Sequence, residues 1–219
     1  MIGTHFQLPS DRAPRILLLG AHCDDIEIGC GGTLQVLAEL YPRCELRWSV
    51  FNSNEERAEE TRRAAAMLLP GAPRIHFDIQ TFRNSYFPYI GAEVKDHMEA
   101  IKRDFAPDLI LTHFENDRHQ DHRVVSELTR NAYRDHLILE YEIVKYDGDL
   151  ASPSVFVPLT REQAERKIEV LMTAFASQRA RPWFTPDAFR ALLRLRGIEA
   201  NAPGGYAEAF HCRKLRLLA

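Results

Sequence analysis

Short apolar runs alternate with amphipathic ones through the first part of the chain. Arg15 to Ala21, preceded by Pro14, is a run of the kind that forms a strand buried on both faces. A glycine-rich turn at Gly29, Gly31 and Gly32 follows, and Thr33 to Leu40 is expected to be a helix closed by Tyr41-Pro42. The alternation then repeats. Glu45 to Phe51 is a predicted strand, and Asn54 to Leu69 a helix with Asn54 as its N-cap. A short strand at Arg74 to Phe77 precedes an amphipathic helix over Glu93 to Phe105, which stops before Pro107. Asp108 to Thr112 is a further buried strand and Asp121 to Tyr133 a further helix. This alternation predicts an α/β fold, Rossmann-like, with a mostly parallel sheet and helices on both faces.

The second half reads differently. Leu137 to Tyr146 and Ser154 to Val157 are predicted strands joined by an Asp-Gly-containing turn. Thr160 and Gln163 form a capping box that opens a helix running to about Phe175. Pro186 to Arg196 is a helix ended at Gly197, and Gly204-Gly205 precedes a final strand near Ala209. With no repeat and no linker, residues 1–219 are expected to form one domain. Its core would span about 13–135, with a small C-terminal extension over about 136–219.

Charge and composition narrow the function by exclusion. A formal net charge of -3, with bases interspersed among acids, gives no footprint for nucleic acid or an anionic membrane. No apolar stretch is long enough to span a bilayer, and Met1 to Arg15 lacks the apolar core of a signal peptide, so a cytoplasmic protein is expected. Cys23, Cys30, Cys44 and Cys212 lack zinc-knuckle or thioredoxin spacing and are expected to be reduced thiols.

The chemistry concentrates just after two predicted core strands, where open parallel sheets bind their ligands. The first cluster is His22-Cys23-Asp24-Asp25-Ile26-Glu27. Unpaired charges at the end of a buried strand are costly unless something neutralises them, and a divalent metal does so. His22 and Asp25 stand three apart and can face one point, while Asp24 projects differently, toward a water. The second cluster is His119-Gln120-Asp121-His122, approached through His113 to Asp117. One of its histidines can ligate metal while the other faces substrate. Two His and one Asp leave a coordination position open, the pattern of a catalytic zinc site. Each piece also has a bland reading. Asp24-Asp25 alone is a helix-cap pair. The glycine turn alone suggests a phosphate loop but matches neither the dinucleotide nor the P-loop spacing. His5, His76, His97, His113, His136 and His211 are read as structural.

Ala21-His22-Cys23-Asp24-Asp25-Ile26-Glu27, followed by Gly31-Gly32, resembles the Ala-His-Pro-Asp-Asp-x-Glu…Gly-Gly signature of the PIG-L (LmbE-like) N-acetylglucosaminyl deacetylases. His119-Gln120-Asp121-His122 resembles that family's second motif. Ala176-Ser177-Gln178 and Tyr206 to Phe210 are similar to segments near its C-terminus. The resemblance implies that His22, Asp25 and His122 bind Zn2+, with Fe2+ or another divalent metal as the alternative. It implies Asp24 as general base and His119 as the group that stabilises the oxyanion or assists proton transfer. Asp121 is expected to orient a neighbouring histidine. Arg83-Asn84-Ser85 is similar to an Arg-Asp-Ser segment that contacts substrate, with Asn84 departing from the acidic residue. Cys23 departs too, standing where the family usually has proline. The implied substrate is a small N-acetylated sugar or glycoside, and relatives' habit of assembling makes a homo-oligomer an expectation. The competing readings are an amidase for another acyl group or a thiol-conjugate amide, a sugar- or nucleotide-binding module without turnover, and a structural metal protein. Loops 81–90 and 179–205 are expected to supply substrate contacts, with Trp183, Phe184 and Tyr206 either stacking on a sugar or packing the interior.

Overall fold

The computed structural model describes residue 3 and residues 8–71 and 74–216; His5 lies outside them. Seven strands form one sheet: β1 (Arg15–His22), β2 (Glu45–Asn52), β3 (Arg74–Ile79), β4 (Leu109–His113), β5 (Leu137–Tyr141), β6 (Val155–Leu159) and β7 (Tyr206–His211). Their order is β3-β2-β1-β4-β5-β7-β6. The first five are parallel, and β7 alone runs antiparallel to both of its neighbours.

The apolar run of β1 is buried on both sides, as its sequence requires. Ile16 and Leu18 pack with α1 (Asp25–Leu40), α2 (Glu55–Leu68), α5 (Arg161–Ala174) and α6 (Pro186–Glu199). Leu17 and Leu19 face α3 (Gly91–Asp104) and α4 (Gln120–Ala132) on the opposite side. Local signals hold where expected. Asn54 caps α2 by accepting from Arg57 N at 2.9 Å, and the Thr160/Gln163 capping box opens α5. Among the described residues no helix is long and apolar enough to cross a membrane.

Three boundaries differ from expectation, each for a tertiary reason. The glycine segment is not a turn: α1 starts at Asp25 and runs through it, bent at Cys30 (φ −144°, ψ 16°). The bend frees backbone donors beyond it, and the Glu208 carboxylate on β7 accepts from Gly32 N at 2.8 Å and Thr33 N at 2.6 Å. Lys167 neutralises that buried carboxylate at 2.6 Å. Glycine also permits close approach, since a Cβ on Gly29 would lie 2.2 Å from the Tyr141 ring. Likewise α6 continues through Gly197, where a Cβ would meet Gly205 O at 2.3 Å. Finally, β5 ends at Tyr141 and does not pair with β6, because β7 lies between them. Just past that end, the Arg196 guanidinium holds Glu142 at 2.7 and 2.9 Å.

Tyr141 cannot retreat from an added methyl group, being fully buried with its hydroxyl donating to Leu19 O at 2.6 Å. Gly29→Ala is therefore expected to lower stability by roughly 1–3 kcal/mol, overpacking outweighing the helix propensity that alanine gains. Denaturant unfolding checks this: the midpoint should fall with an unchanged slope.

Candidate metal centre and active site

The chain leaves β1 on one side toward β2 and β3, then returns to β4 on the other side of β1. The crevice at this reversal, beyond the carboxyl ends of β1 and β4, is where ligands bind in open α/β sheets. Both ionisable clusters open into it.

At the end of β1 the backbone turns sharply. Asp24 takes the left-handed conformation (φ 90°, ψ −25°), which Asp tolerates better than most residues. The turn is clamped by Asp25 Oδ2, which accepts from His22 N at 2.7 Å. It sends His22 and Asp25 to one point. Asp24 makes no side-chain cap on α1; instead its carboxylate accepts from Arg57 of α2 at 2.7 Å. Arg57 also donates to Cys23 O. Burial, opposed by Arg57 and reinforced by the charge of Asp25, raises the Asp24 pKa to about 7.

At the end of β4 a loop leads into α4. His119 is the N-cap of α4, its Nδ1 accepting from Asp121 N at 3.3 Å. That acceptor role leaves Nε2 to carry the proton of the neutral ring. Burial and the charge of His22 lower its pKa, favouring that neutral form. Asp117 accepts from His119 N at 2.7 Å through one oxygen and holds His122 Nδ1 at 2.9 Å through the other.

The clusters meet. His22 Nδ1 lies 3.2 Å from His122 Nε2. Asp25 Oδ2 lies 3.4 Å from the first nitrogen and 3.5 Å from the second. All three side chains are buried, and His119 presents a ring nitrogen within 4.8 Å of those of His22 and His122. Burial would lower the pKa of His22, but hydrogen bonds to Asp121 and Asp25 raise it to about 9. Burial and the charge of His113 push His122 down to about 3. Two imidazole nitrogens and a carboxylate, converging and backed by further buried carboxylates, suit a divalent cation of borderline softness.

Asp121 serves two neighbours at once. Its Oδ2 lies 3.2 Å from His22 Nε2 and accepts from Ser85 N at 2.6 Å, while Oδ1 accepts from Phe87 N at 3.1 Å. The loop that carries Arg83 and Asn84 is thereby pinned beside the cluster. Both residues are exposed: the Arg83 guanidinium lies over the Tyr86 ring at 3.4 Å, and Asn84 accepts from the Ser85 hydroxyl at 3.4 Å. Cys23 points away, donating to Ser53 Oγ at 3.1 Å, and burial raises its pKa to about 11. Its sulfur is therefore turned toward Ser53 and is not among the donor atoms that converge. Phe184 and Tyr206 are buried packing residues.

One structural assignment is corrected. His113 belongs to the cluster: its ring stacks on His122 with centroids 4.0 Å apart, and Nε2 lies 3.3 Å from Asp25 Oδ2 and accepts from Ala21 N at 2.9 Å. Standing at the last position of β4, it was findable by the strand-end rule that picked out its neighbours. Asp117 was findable the same way. Arg57 was not, because nothing in an amphipathic helix sequence says which arginine turns inward. Glu27 is fully buried with neither oxygen hydrogen-bonded, and burial raises its pKa well above the carboxylate range.

A family model described as PIG-L, GlcNAc-PI de-N-acetylase, matches residues 17–133, more than half of the chain. The chain belongs to this family of N-deacetylases. Solved structures share its fold. N,N'-diacetylchitobiose deacetylase from Pyrococcus horikoshii is 18% identical, with 92% of this chain and 84% of that one covered and a TM-score of 0.71. A teicoplanin deacetylase in its zinc-inhibited form is 16% identical, with 90% and 97% covered and a TM-score of 0.66. The 4-carboxy-2-hydroxymuconate hydratase of Pseudomonas putida KT2440 is 16% identical, with 94% and 98% covered and a TM-score of 0.73.

Removing the Asp121 carboxylate strips the Ser85 and Phe87 amides of a charged acceptor, a bond type contributing roughly 1.5–3 kcal/mol. In Asp121→Ala, hydrogen exchange at these amides is expected to speed up by about tenfold or more, with core amides of β1 unchanged. Unchanged exchange at both would show that the loop is held by other contacts.

Proposed function

We propose that this chain is a zinc-dependent hydrolase that removes an N-acetyl group from a small amino sugar or related glycoside. The observation carrying it is the convergence of His22 Nδ1, His122 Nε2 and Asp25, with pairwise separations of 3.2, 3.4 and 3.5 Å, beside a carboxylate that is not part of the trio. His22, Asp25 and His122 would hold the metal; their donor types suit Zn2+, with Fe2+ the nearest alternative. A metal there would supply Lewis acidity to a water and to the acetamide carbonyl.

Asp24 is the general base. Its pKa of about 7 matches the operating pH of such a group, and Arg57 fixes its carboxylate while leaving the second oxygen outside that bond. As water adds to the carbonyl, Asp24 takes its proton. His119 stands half-buried at the mouth, neutral, with Nε2–H available to the oxyanion. Collapse expels the amine, which takes back the proton that Asp24 removed from water, and the products are acetate and the free amino sugar. Asp121 orients His22 through Nε2, a common role for a carboxylate behind a metal-binding histidine. Arg83 and Asn84, exposed on the loop that Asp121 pins, would meet the substrate.

Two variants separate binding from chemistry. Asp24→Ala is expected to keep its metal and lose about 10²- to 10⁴-fold in acetate release from N-acetylated sugars, the range for a general base. His122→Ala is expected to lose the metal itself, measured as zinc per chain by elemental analysis. Near-normal turnover in Asp24→Ala would remove it as the base, and undiminished zinc in His122→Ala would place the metal elsewhere. If acetate release is absent across the sugars while another amide is cleaved, the amidase reading replaces the deacetylase one.

A further inference from the structure

Beyond the residues matched by the family model, the segment after β5 sends one cation back into the site. Lys145 is nearly enclosed, its side chain 8% exposed, and its Nζ lies 2.6 Å from Asp149 Oδ2 and 3.0 Å from Asp117 Oδ2. Those two carboxylates are themselves only 6% and 2% exposed. Asp149 also accepts from Arg118 N at 2.7 Å. Asp117 accepts from His119 N at 2.7 Å and holds His122 Nδ1 at 2.9 Å. Residues 117–122, from the loop before α4 and its first turn, and 145–149, from the loop after β5, are thus joined by the Lys145 ammonium group and by the Arg118 N–H that Asp149 accepts.

We propose that Lys145 is a positioning residue for the metal site, acting on His122 through Asp117. Two buried carboxylates held side by side repel strongly where the local dielectric is low. The ammonium between them removes that repulsion and fixes the direction of Asp117, which fixes the ring of His122 so that Nε2 faces His22 and Asp25. Asp149 has the complementary task of keeping the ammonium in place. Without the cation, Asp117 and Asp149 move apart, and His122 loses the acceptor that aims it. A salt bridge that merely fastened the loop would leave the metal site indifferent to this charge. This inference rests on the metal-centre reading above and adds to it a residue from the C-terminal part of the chain.

The test is a zinc titration by competition with a chromogenic chelator, run on wild type, Lys145→Met and Lys145→Arg, with thermal unfolding of each in the metal-free state. Lys145→Met is expected to bind zinc at least about tenfold more weakly, the lower end of the effect of losing a partner behind a metal-binding histidine. Lys145→Arg, which restores the charge, is expected within about threefold of wild type, with acetate release recovering in parallel. Zinc affinity in Lys145→Met within threefold of wild type overturns the proposal, even if metal-free stability falls, since that pattern belongs to a loop fastener. Should Lys145→Met not fold, Lys145→Gln keeps a donor and drops the charge; the same tenfold loss is expected, and wild-type affinity there is equally fatal. The wild-type titration stands apart from these comparisons: a wild-type chain that takes up no divalent metal refutes the metal centre itself, with Lys145 as its consequence.

Discussion

Parallel pairing of β1 with β2 on one side and β4 on the other is the constraint on which the site depends. Residues 22 and 122 are a hundred positions apart, yet their ring nitrogens meet at 3.2 Å because β1 and β4 are neighbours that end at the same edge of the sheet. The register leaves no freedom. Ile16, Leu17 and Leu18 pair with Leu109, Ile110 and Leu111, and their side chains are buried on both faces of the sheet. A slip of one residue would turn each of them to the opposite face. Hydrophobic packing therefore sets the separation of the two histidine-bearing ends, and the polar groups finish what the strands have placed.

That finishing is done by pairing. Around the centre three buried carboxylates have a cationic or histidine partner, Asp24 with Arg57, Asp121 with His22, Asp117 with His122 and Lys145, while Glu27 has none. Farther out, Glu208 meets Lys167 and Glu142 meets Arg196. Buried pairs of this kind gain little net stability, because desolvation offsets their attraction. Their effect is on geometry. Glu208, seated on the last strand, caps the bend in α1 through Gly32 and Thr33. The helix that begins with Asp25 is thereby tied to the C-terminal segment, which approaches the same cluster a second time through Lys145.

The sequence announced those parts whose signals are local. Alternating runs disclosed the first four strands and their helices, Asn54 and the Thr160/Gln163 pair marked two helix starts, and the strand-end rule located His22, Asp25, His119 and His122. What stayed hidden depends on distant partners. Gly29 to Gly32 looked like a turn because glycine usually signals one; their actual role is to let Tyr141 and Leu159 approach α1. The cap that sustains the bent helix lies 176 positions away in sequence. His113 looked solitary because its neighbours, His122 and Asp25, come from other elements. Lys145 fell inside the predicted strand Leu137 to Tyr146, which ends at Tyr141 in the structure, so its place beyond a carboxyl end was masked. Pairing of β5 with β7 rather than β6 joins strands separated in sequence by α5 and α6, which no local pattern states.

A fold shared by two deacetylases and a hydratase does not name a reaction. Hydration and amide hydrolysis have water activation in common, so the paired histidines and Asp25 suit either. They part at the second half of the reaction. An amide nitrogen leaves readily only if it collects a proton, so hydrolysis needs a group that gives one back on the side where the first was taken. In the mechanism we propose, Asp24, held by Arg57 with a pKa of about 7, is the group suited to accept and return that proton. In the same proposal His119, its pKa lowered by burial and by the charge of His22, supplies an N–H without competing for the water's proton. The distinction between base and donor in this proposal follows environment: one group is buried against an arginine, and the other caps a helix through Nδ1, which leaves its proton on Nε2. Such a division of labour is what expulsion of an amine requires, and it is the reason the hydrolytic reading is preferred over simple addition of water.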